Sequence, residues 1–446
     1  VISRDDPSDG SPHLLYVAWG FPPARSGGVY RALATANAFA RSGWRVTVLT
    51  ADRETFERHT GTDPGLEDQV DSRIRVVRVP FAWPLQEQDR SRWPVLRRRF
   101  PRVWRRARIA ADRIPFPETV YGPWRTPLAR AAIGIHEEHP VDLVVASANP
   151  NVDFTAAHAL HRHSAVPYVL DYRDAWLLDV FDGHQIHTDR SRAARWEKRL
   201  VGSAAEVWFV NAPIRDWHAT RYPEAADRMH VVANGFDPEF APDGSRGGRR
   251  RGGPLRFGYI GTVSAKVPVA EFLEGWRAAR RRCPELADAT ATVYGHLGFY
   301  AEQSPRLREL LTGYSDDGVS YGGPVSKTAV AATYADLDAL LLILGTGRYV
   351  TSGKVYEYMA SGLPIVSVHH PDNAASTVLD GYPAWFAVAD LSTDEIAARL
   401  CDAARVATEA SPDRRSRCVE FAAQYVRDRQ LMPRVEALRA VVTTRR

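Results

Sequence analysis

At 446 residues, with 45% hydrophobic and 25% charged residues, the chain can bury ample core in about two or three domains, which excludes a disordered protein. Its formal charge of +5 is local: the stretch from Arg90 to Arg113 holds ten Arg against one Asp, so it carries about +9 and leaves the remainder near −4. Three cysteines without CxxC or Cys/His spacing exclude a disulfide framework and a cysteine metal site, and no run reaches the roughly 18 apolar residues of a membrane span.

The first residues, VISRDDPSDGSPH, lack the apolar core of a signal peptide, so a soluble cytoplasmic protein is expected. HLLYVAWGFPP then reads as a short buried strand ending in a Pro-bounded turn. ARSGGVYRALATANAFARSG follows as a helix, with Val29, Leu33, Ala36, Phe39 and Ala40 at helical spacing and Gly43 as its stop. WRVTVLTA is a second strand. This strand, Gly-rich turn, helix, strand unit is the building block of a parallel sheet. Further strands are expected in RIRVVRVP, VDLVVASANP, PYVLDYRDAW, AAEVWFVNAP and MHVVANGFD.

Between them lies the basic stretch 90–113, where Trp93, Phe100 and Trp104 sit among the arginines. This mixture suits a membrane interface, at the inner face of the membrane, or an anionic acceptor. The plainer reading is a solvated helical hairpin interrupted at Pro94 and Pro101. No nucleic-acid recognition module is legible, so nucleic acid is not expected as a partner.

Residues 241–254, APDGSRGGRRRGGP, are Gly- and Arg-rich without periodicity and read as a linker. After them the alternation restarts with LRFGYIGTV, a helix in VAEFLEGWRAARRRC, then TATVYGHLG, GVSYGG, a helix near Val325 to Tyr334, ALLLILG, another helix and PIVSV. The fold class expected is α/β, with two Rossmann-like parallel-sheet domains facing a cleft. Their bounds are 1–240 and 255–410, and a helix in 411–446 is expected to pack back on the first domain. Ligands of such sheets bind beyond the carboxyl ends of the strands.

Of the 58 basic residues only Lys198, Lys266, Lys327 and Lys354 are lysine. Two of them fall in turns where phosphate is expected. In TSGKVYEYMASGLPIVSV, Ser352 is a good N-cap, Gly353 and Lys354 would be the first helical residues, and Gly362 with Pro364 stops the helix. The free N–H groups and dipole of that helix start favour an anion. Glu357 lies one turn up on the same face, where hydroxyls attached to the anion could donate to it. Phosphate below and a diol above describe a nucleotide ribose, whereas a capped helix with a solvated Glu is the structural alternative. Lys266 follows Gly261 and Thr262 in the turn after the first strand of the second half, and Ser26-Gly27-Gly28 opens the first helix of the first half.

The combination of FPPARSGG-VYRALATANAFARSGWRVTVLT, VVANGFD, YIGTVSAK and SGKVYEYMASGLPIV resembles the retaining, nucleotide-sugar-dependent glycosyltransferases of the GT-B fold, family 4, over about residues 14 to 400. The segment VPYVLDYRDAW is also similar to a branch of that family with an Asp-x-Arg-Asp-x-Trp segment after its fifth strand. The resemblance implies that Glu357 binds the ribose as the second Glu of a Glu-x7-Glu element, that Ser352, Gly353 and Lys354 hold the diphosphate, and that Lys266 neutralises it. It further implies that Gly28 and Thr262 face the phosphates and that the base docks near Gly295 and Ser320. The first Glu of the element falls on Tyr349, and the family's Arg after Gly261 is replaced by Thr262.

Catalysis is expected to rest on Lys266, Glu357 and Asp174, with the leaving phosphate accepting the acceptor's proton and neither metal nor cofactor required. Asp171, Arg173, Asp174 and His184 are expected at the acceptor, a natural-product hydroxyl or a lipid-linked saccharide. Asp336-Leu337-Asp338 and the trio His158, His161 and His163 read as structural. A nucleotide-sugar epimerase of the same fold and a catalytically silent nucleotide-sugar-binding partner subunit remain as alternatives.

Overall fold

Short apolar runs bounded by Gly, Pro and Asn become strands, as their lengths require. The computed structural model describes residues 10–238, 253–263, 267–298, 304–325, 327–345 and 347–444. Its chain divides into two units: Val1–Asp179, Gln185–Val232 and Leu431–Arg446 form one, Val180–His184 and Ala233–Gln430 the other. Most of the expected linker at 241–254 lies outside the described residues.

The first unit holds a seven-stranded sheet of β1 (His13–Val17), β2 (Arg45–Ala51), β3 (Arg75–Val79), β4 (Leu143–Ser147), β5 (Tyr168–Tyr172), β6 (Glu206–Phe209) and β7 (Met229–Val231). The order is β3-β2-β1-β4-β5-β6-β7 and every pairing is parallel. Every residue of β1, β4 and β5 is buried, as strands covered on both faces must be. The helix Val29–Arg41 buries Val29, Leu33, Ala36, Phe39 and Ala40 against this sheet, and the chain leaves it at Gly43 with φ +77, a conformation that favours glycine. Burying a Leu or Phe side chain contributes about 1.5–3 kcal/mol, so this stripe outweighs helix propensity in fixing the element. At the far end of the chain, Arg439 donates to the Ser42 carbonyl (2.7 Å) and Arg434 pairs with Glu206 (3.4 Å).

The second unit orders β8 (Arg256–Ile260), β9 (Thr290–Tyr294), β10 (Val319–Gly323), β11 (Ala339–Ile343), β12 (Ile365–Val368) and β13 (Trp385–Ala387) as β10-β9-β8-β11-β12-β13, again all parallel. The wholly apolar β11 is buried throughout. Leu340 and Leu342 point to a core with Tyr356, Tyr358 and Met359, while Leu341 and Ile343 point to Phe257, Phe272 and Trp276 on the other face. β13 was not expected from the sequence, because three residues are too few to display a period. No helix among the described residues is long and apolar enough to cross a membrane.

Candidate functional site

In the second unit the strand order reverses between β8 and β11, and open parallel sheets bind ligands beyond the carboxyl ends of the strands at such a point. β8 runs out into Gly261, whose φ of +142 is accessible only to glycine, and a Cβ there would come 2.5 Å from the Lys354 Nζ. The Gly261 N–H donates to the Tyr294 carbonyl (2.9 Å). Gly295, at φ +127, nests against that same turn so closely that a Cβ would overlap the Gly261 carbonyl. The two glycines let the loops after β8 and β9 touch.

Lys354 is the first residue of the helix Lys354–Ala360. The cap is Gly353, one residue later than the Ser352 expected, and no side chain caps the helix; Ser352 takes part through its carbonyl, which accepts from the Val355 N–H (3.1 Å). Lys354 Nζ donates to the Tyr259 hydroxyl (2.6 Å), which donates onward to the Thr262 carbonyl (2.7 Å). The ammonium also lies 4.2 Å from the Tyr259 ring centroid. Burial pushes the lysine down to about 7, against the opposing pull of the Glu357 charge. Glu357, one turn on, has the Tyr334 hydroxyl 3.5 Å from Oε2. The Tyr358 hydroxyl accepts from the Ile260 N–H (2.8 Å) and ties the helix to β8.

Gly261, Thr262, Lys354 and Glu357 therefore meet at one place, together with Tyr259, which sequence reasoning missed because a tyrosine in a buried strand reads as core. Gly353 is exposed at the helix start. Ser320 does not join Gly295 at the strand ends: it pairs with Thr292 near the start of β10, sharing a 3.0 Å hydrogen bond with the Thr292 hydroxyl. The group beside Gly295 is Gly323, whose carbonyl accepts from the Gly295 N–H (2.7 Å), and Tyr321 donates to the Gly295 carbonyl (2.8 Å). Lys266 lies outside the described residues. Tyr349, at the position of the family's first Glu, is partly exposed, and a Cβ on Gly183 would sit 3.3 Å from its ring. His184 is exposed and belongs to this second unit.

The first unit has its own reversal, between β1 and β4. Asp171, expected at an acceptor, is instead fully buried: Arg31 donates to it from Nε and Nη2 (2.6–3.1 Å) and Ser147 Oγ donates at 3.1 Å. Arg31 also reaches the Val232 carbonyl (2.9 Å). An acidic residue at the penultimate position of a central strand points into the layer beneath the helix, where only a paired charge is tolerated. Arg173 donates to the carbonyls of Ala148 and Asn149 and lies across Gly28, where any Cβ would overlap its guanidinium. Asp174 accepts from the Asn149 side chain (2.9 Å), and burial raises its carboxyl above the usual range against the lowering effects of Arg173 and Asn149.

Two further acids near this reversal carried no sequence signal. Glu118 accepts from the N–H groups of Asn151 (3.1 Å) and Val152 (2.8 Å), and burial pushes it up to about 7. Asp153, also raised by burial, accepts from the Trp19 N–H (2.7 Å). The remaining candidates lie away from both strand-order reversals or have local partners. Asp338 accepts from the Arg256 N–H (2.8 Å) at the opposite, amino-terminal edge of the sheet, and Asp336 pairs with the Arg256 side chain (3.7 Å). His161 is bonded to the Val166 carbonyl (3.0 Å), burial lowers His158 to about 4, and His163 is exposed.

Residues 26–235 match the Glycosyl transferase 4-like domain, and residues 254–405 match Glycosyl transferases group 1. No curated protein matches the chain in sequence. Among solved structures it is similar to a glycosyltransferase from Rickettsia africae (TM-score 0.66, 11% identity, 97% of this chain and 99% of that one). It is also similar to Anabaena HepE in complex with UDP (TM-score 0.63, 15% identity, 96% and 100%), a protein solved in addition with UDP-glucose. A protein described as a UDP-N-acetylglucosamine 2-epimerase from Listeria monocytogenes shares the fold too (TM-score 0.58, 8% identity, 98% of each chain).

Proposed function

Since the chain is a family 4-like glycosyltransferase of the GT-B fold, we propose that it moves a sugar from a nucleoside diphosphate sugar to an acceptor hydroxyl with retention of configuration. The observation that carries the donor assignment is the Lys354 ammonium, held by the Tyr259 hydroxyl beside Gly261 and lowered to about 7. An enclosed cation of this kind gains most from an arriving anion, because the anion restores the charge that burial disfavours. The diphosphate sits against Lys354 and the Gly261–Thr262 turn, and Glu357 accepts from the ribose hydroxyls.

In the reaction the bond between the anomeric carbon and the diphosphate oxygen breaks, and the acceptor oxygen bonds the same face of the sugar. The acceptor's proton passes to the departing phosphate oxygen. Lys354, joined by Lys266 as the family pattern implies, offsets the charge growing on that phosphate, so the proposal requires no metal. Asp174, with its carboxyl raised by burial, orients the acceptor hydroxyl. Its partner Asn149 fixes the carboxylate (2.9 Å).

The test is thermal stabilisation by UDP, GDP, dTDP and ADP sugars, followed by product analysis across acceptors. One nucleotide series should raise the melting temperature, and the shift should vanish in Lys354→Met and Glu357→Ala. Tyr349, an aromatic ring where the family has a carboxylate, favours one competing reading, a silent nucleotide-sugar-binding subunit. Binding without turnover over the whole acceptor panel would support that reading. Conversion of the donor sugar alone, without acceptor, would support an epimerase.

A further inference from the structure

The helical hairpin between β3 and β4 presents an inner and an outer face of different chemistry. Inward, Arg97 is stacked between Trp93 (3.9 Å to the centroid) and Trp104 (4.7 Å) and donates to the carbonyls of Pro84 (2.6 Å) and Glu87 (3.0 Å). One turn beyond Trp104, Arg108 pairs with the buried Asp112 (2.6 Å), which also accepts from the Val120 N–H (3.1 Å). Trp104, Arg108 and Asp112 recur every fourth residue and so share one face of the helix Pro101–Asp112, which Asp112 ties to the following chain at Val120. These contacts use up the only acid in the stretch and both tryptophans.

The outer face holds what is left. Val95, Leu96, Phe100 and Val103 are 72%, 48%, 51% and 60% exposed, four large apolar side chains within nine residues. Arg98, Arg99, Arg102, Arg105 and Arg106 are exposed around them, and no exposed acid occurs between Arg90 and Ala111. One exposed leucine needs no explanation, but four large exposed apolar side chains within nine residues, with five exposed arginines among and just after them, do. Nucleic acid would engage the arginines through phosphate and leave the apolar side chains in water. A bilayer surface engages both, because anionic headgroups meet the guanidinium groups while the apolar group enters the boundary with the acyl chains.

We propose that this outer face docks the protein on a membrane carrying anionic lipid, with Val95, Leu96, Phe100 and Val103 as the inserted group and Arg98, Arg102 and Arg106 as headgroup ligands. The surface is built entirely within the first unit and does not depend on how the donor site is read. Arg97 is excluded from the docking set, since its side chain is committed inside the hairpin and its replacement would unfold the element.

The experiment is flotation of the full chain with vesicles of phosphatidylcholine alone and of phosphatidylcholine with about 30% phosphatidylglycerol. Flotation is expected only with the anionic vesicles and should weaken as salt rises. Reversing Arg98, Arg102 and Arg106 to Glu should lower the binding constant by at least ~100-fold, at about fivefold for each arginine removed. Replacing Leu96, Phe100 and Val103 by Ser should also release the protein, with the melting temperature of both variants unchanged. Failure of the unmodified chain to float with anionic vesicles, equal flotation with neutral ones, or full binding by the serine variant would each overturn the proposal.

Discussion

Both units place a glycine beneath a cation where their strand order reverses, but the two cations are held in opposite ways. In the first unit Arg173 lies over Gly28 with its guanidinium given to the carbonyls of Ala148 and Asn149, and Arg31, three residues further along that helix, is locked to Asp171. In the second, Lys354 lies over Gly261, bonded to a neutral hydroxyl and lowered by burial to about 7. A guanidinium with several fixed donors suits a brace, and a compact ammonium on a flexible stem suits a group whose charge responds to a ligand. The same motif of glycine under cation thus braces the first half and, in the proposed function, receives the donor in the second.

The largest effect that could break this contrast belongs to the brace. Arg31→Met leaves the fully buried Asp171 without its partner, which should cost about 3–5 kcal/mol in denaturant unfolding. A loss under about 1 kcal/mol would mean that water or a neighbour reaches Asp171, and that the first unit is less rigid than its hydrogen bonds indicate. Lys354→Met is the matching change in the second unit and should have the reverse profile. Stability of the free protein near neutral pH should hold or rise, because a charge is no longer enclosed, while affinity for the preferred nucleotide falls by roughly 10- to 100-fold in calorimetry.

A pH titration sharpens the difference without any mutation. The folded value of Lys354 is about 7 and its ordinary value is 10.5, so below about pH 7 both the folded and unfolded states hold the proton. Between these values only the unfolded state holds it, so the lysine's contribution makes stability rise with pH through that window and level off above it. Nucleotide affinity should move the opposite way, falling above pH 7 by at most about tenfold per pH unit as the ammonium is lost. Comparing both curves with those of Lys354→Met isolates this one group.

Much of this was legible in the sequence where local and global demands coincide. Val29, Leu33, Ala36 and Phe39 at helical spacing, ALLLI as a buried strand and Gly43 as a stop all follow from period and backbone freedom. That Lys354 and Glu357 share one helix start and that Gly261 lies in the turn after β8 was legible from position, and the structure brings the three together; their phosphate and ribose roles belong to the proposed function. What failed did so across strands. Asp171 and Asp174 look alike in DYRDAW, yet the alternation of a strand buries the first and releases the second into the loop. Ser320 was grouped with Gly295 at the base, and only the register with Thr292 shows that it lies upstream. Tyr259, Asn149 and Glu118 gained meaning solely from partners far away in sequence.

The smallest expected effect tests whether Glu357 acts on the ligand, on Lys354, or on both. Glu357→Gln keeps an oxygen able to accept from a ribose hydroxyl but removes the charge that supports protonation of Lys354. The direct loss of a charged acceptor should weaken nucleotide binding by about threefold to tenfold. The indirect loss should shift the pH at which affinity begins to fall to a lower value, since nothing then opposes the effect of burial on the lysine. Tyr334→Phe removes only a 3.5 Å contact with the carboxylate and should leave both quantities close to those of the unmodified chain. Weaker binding with an unmoved pH profile would confine Glu357 to the ribose. A moved profile with little loss at low pH would make it chiefly a positioning residue for the cation, and the second unit's site would then be a coupled pair rather than a lone lysine.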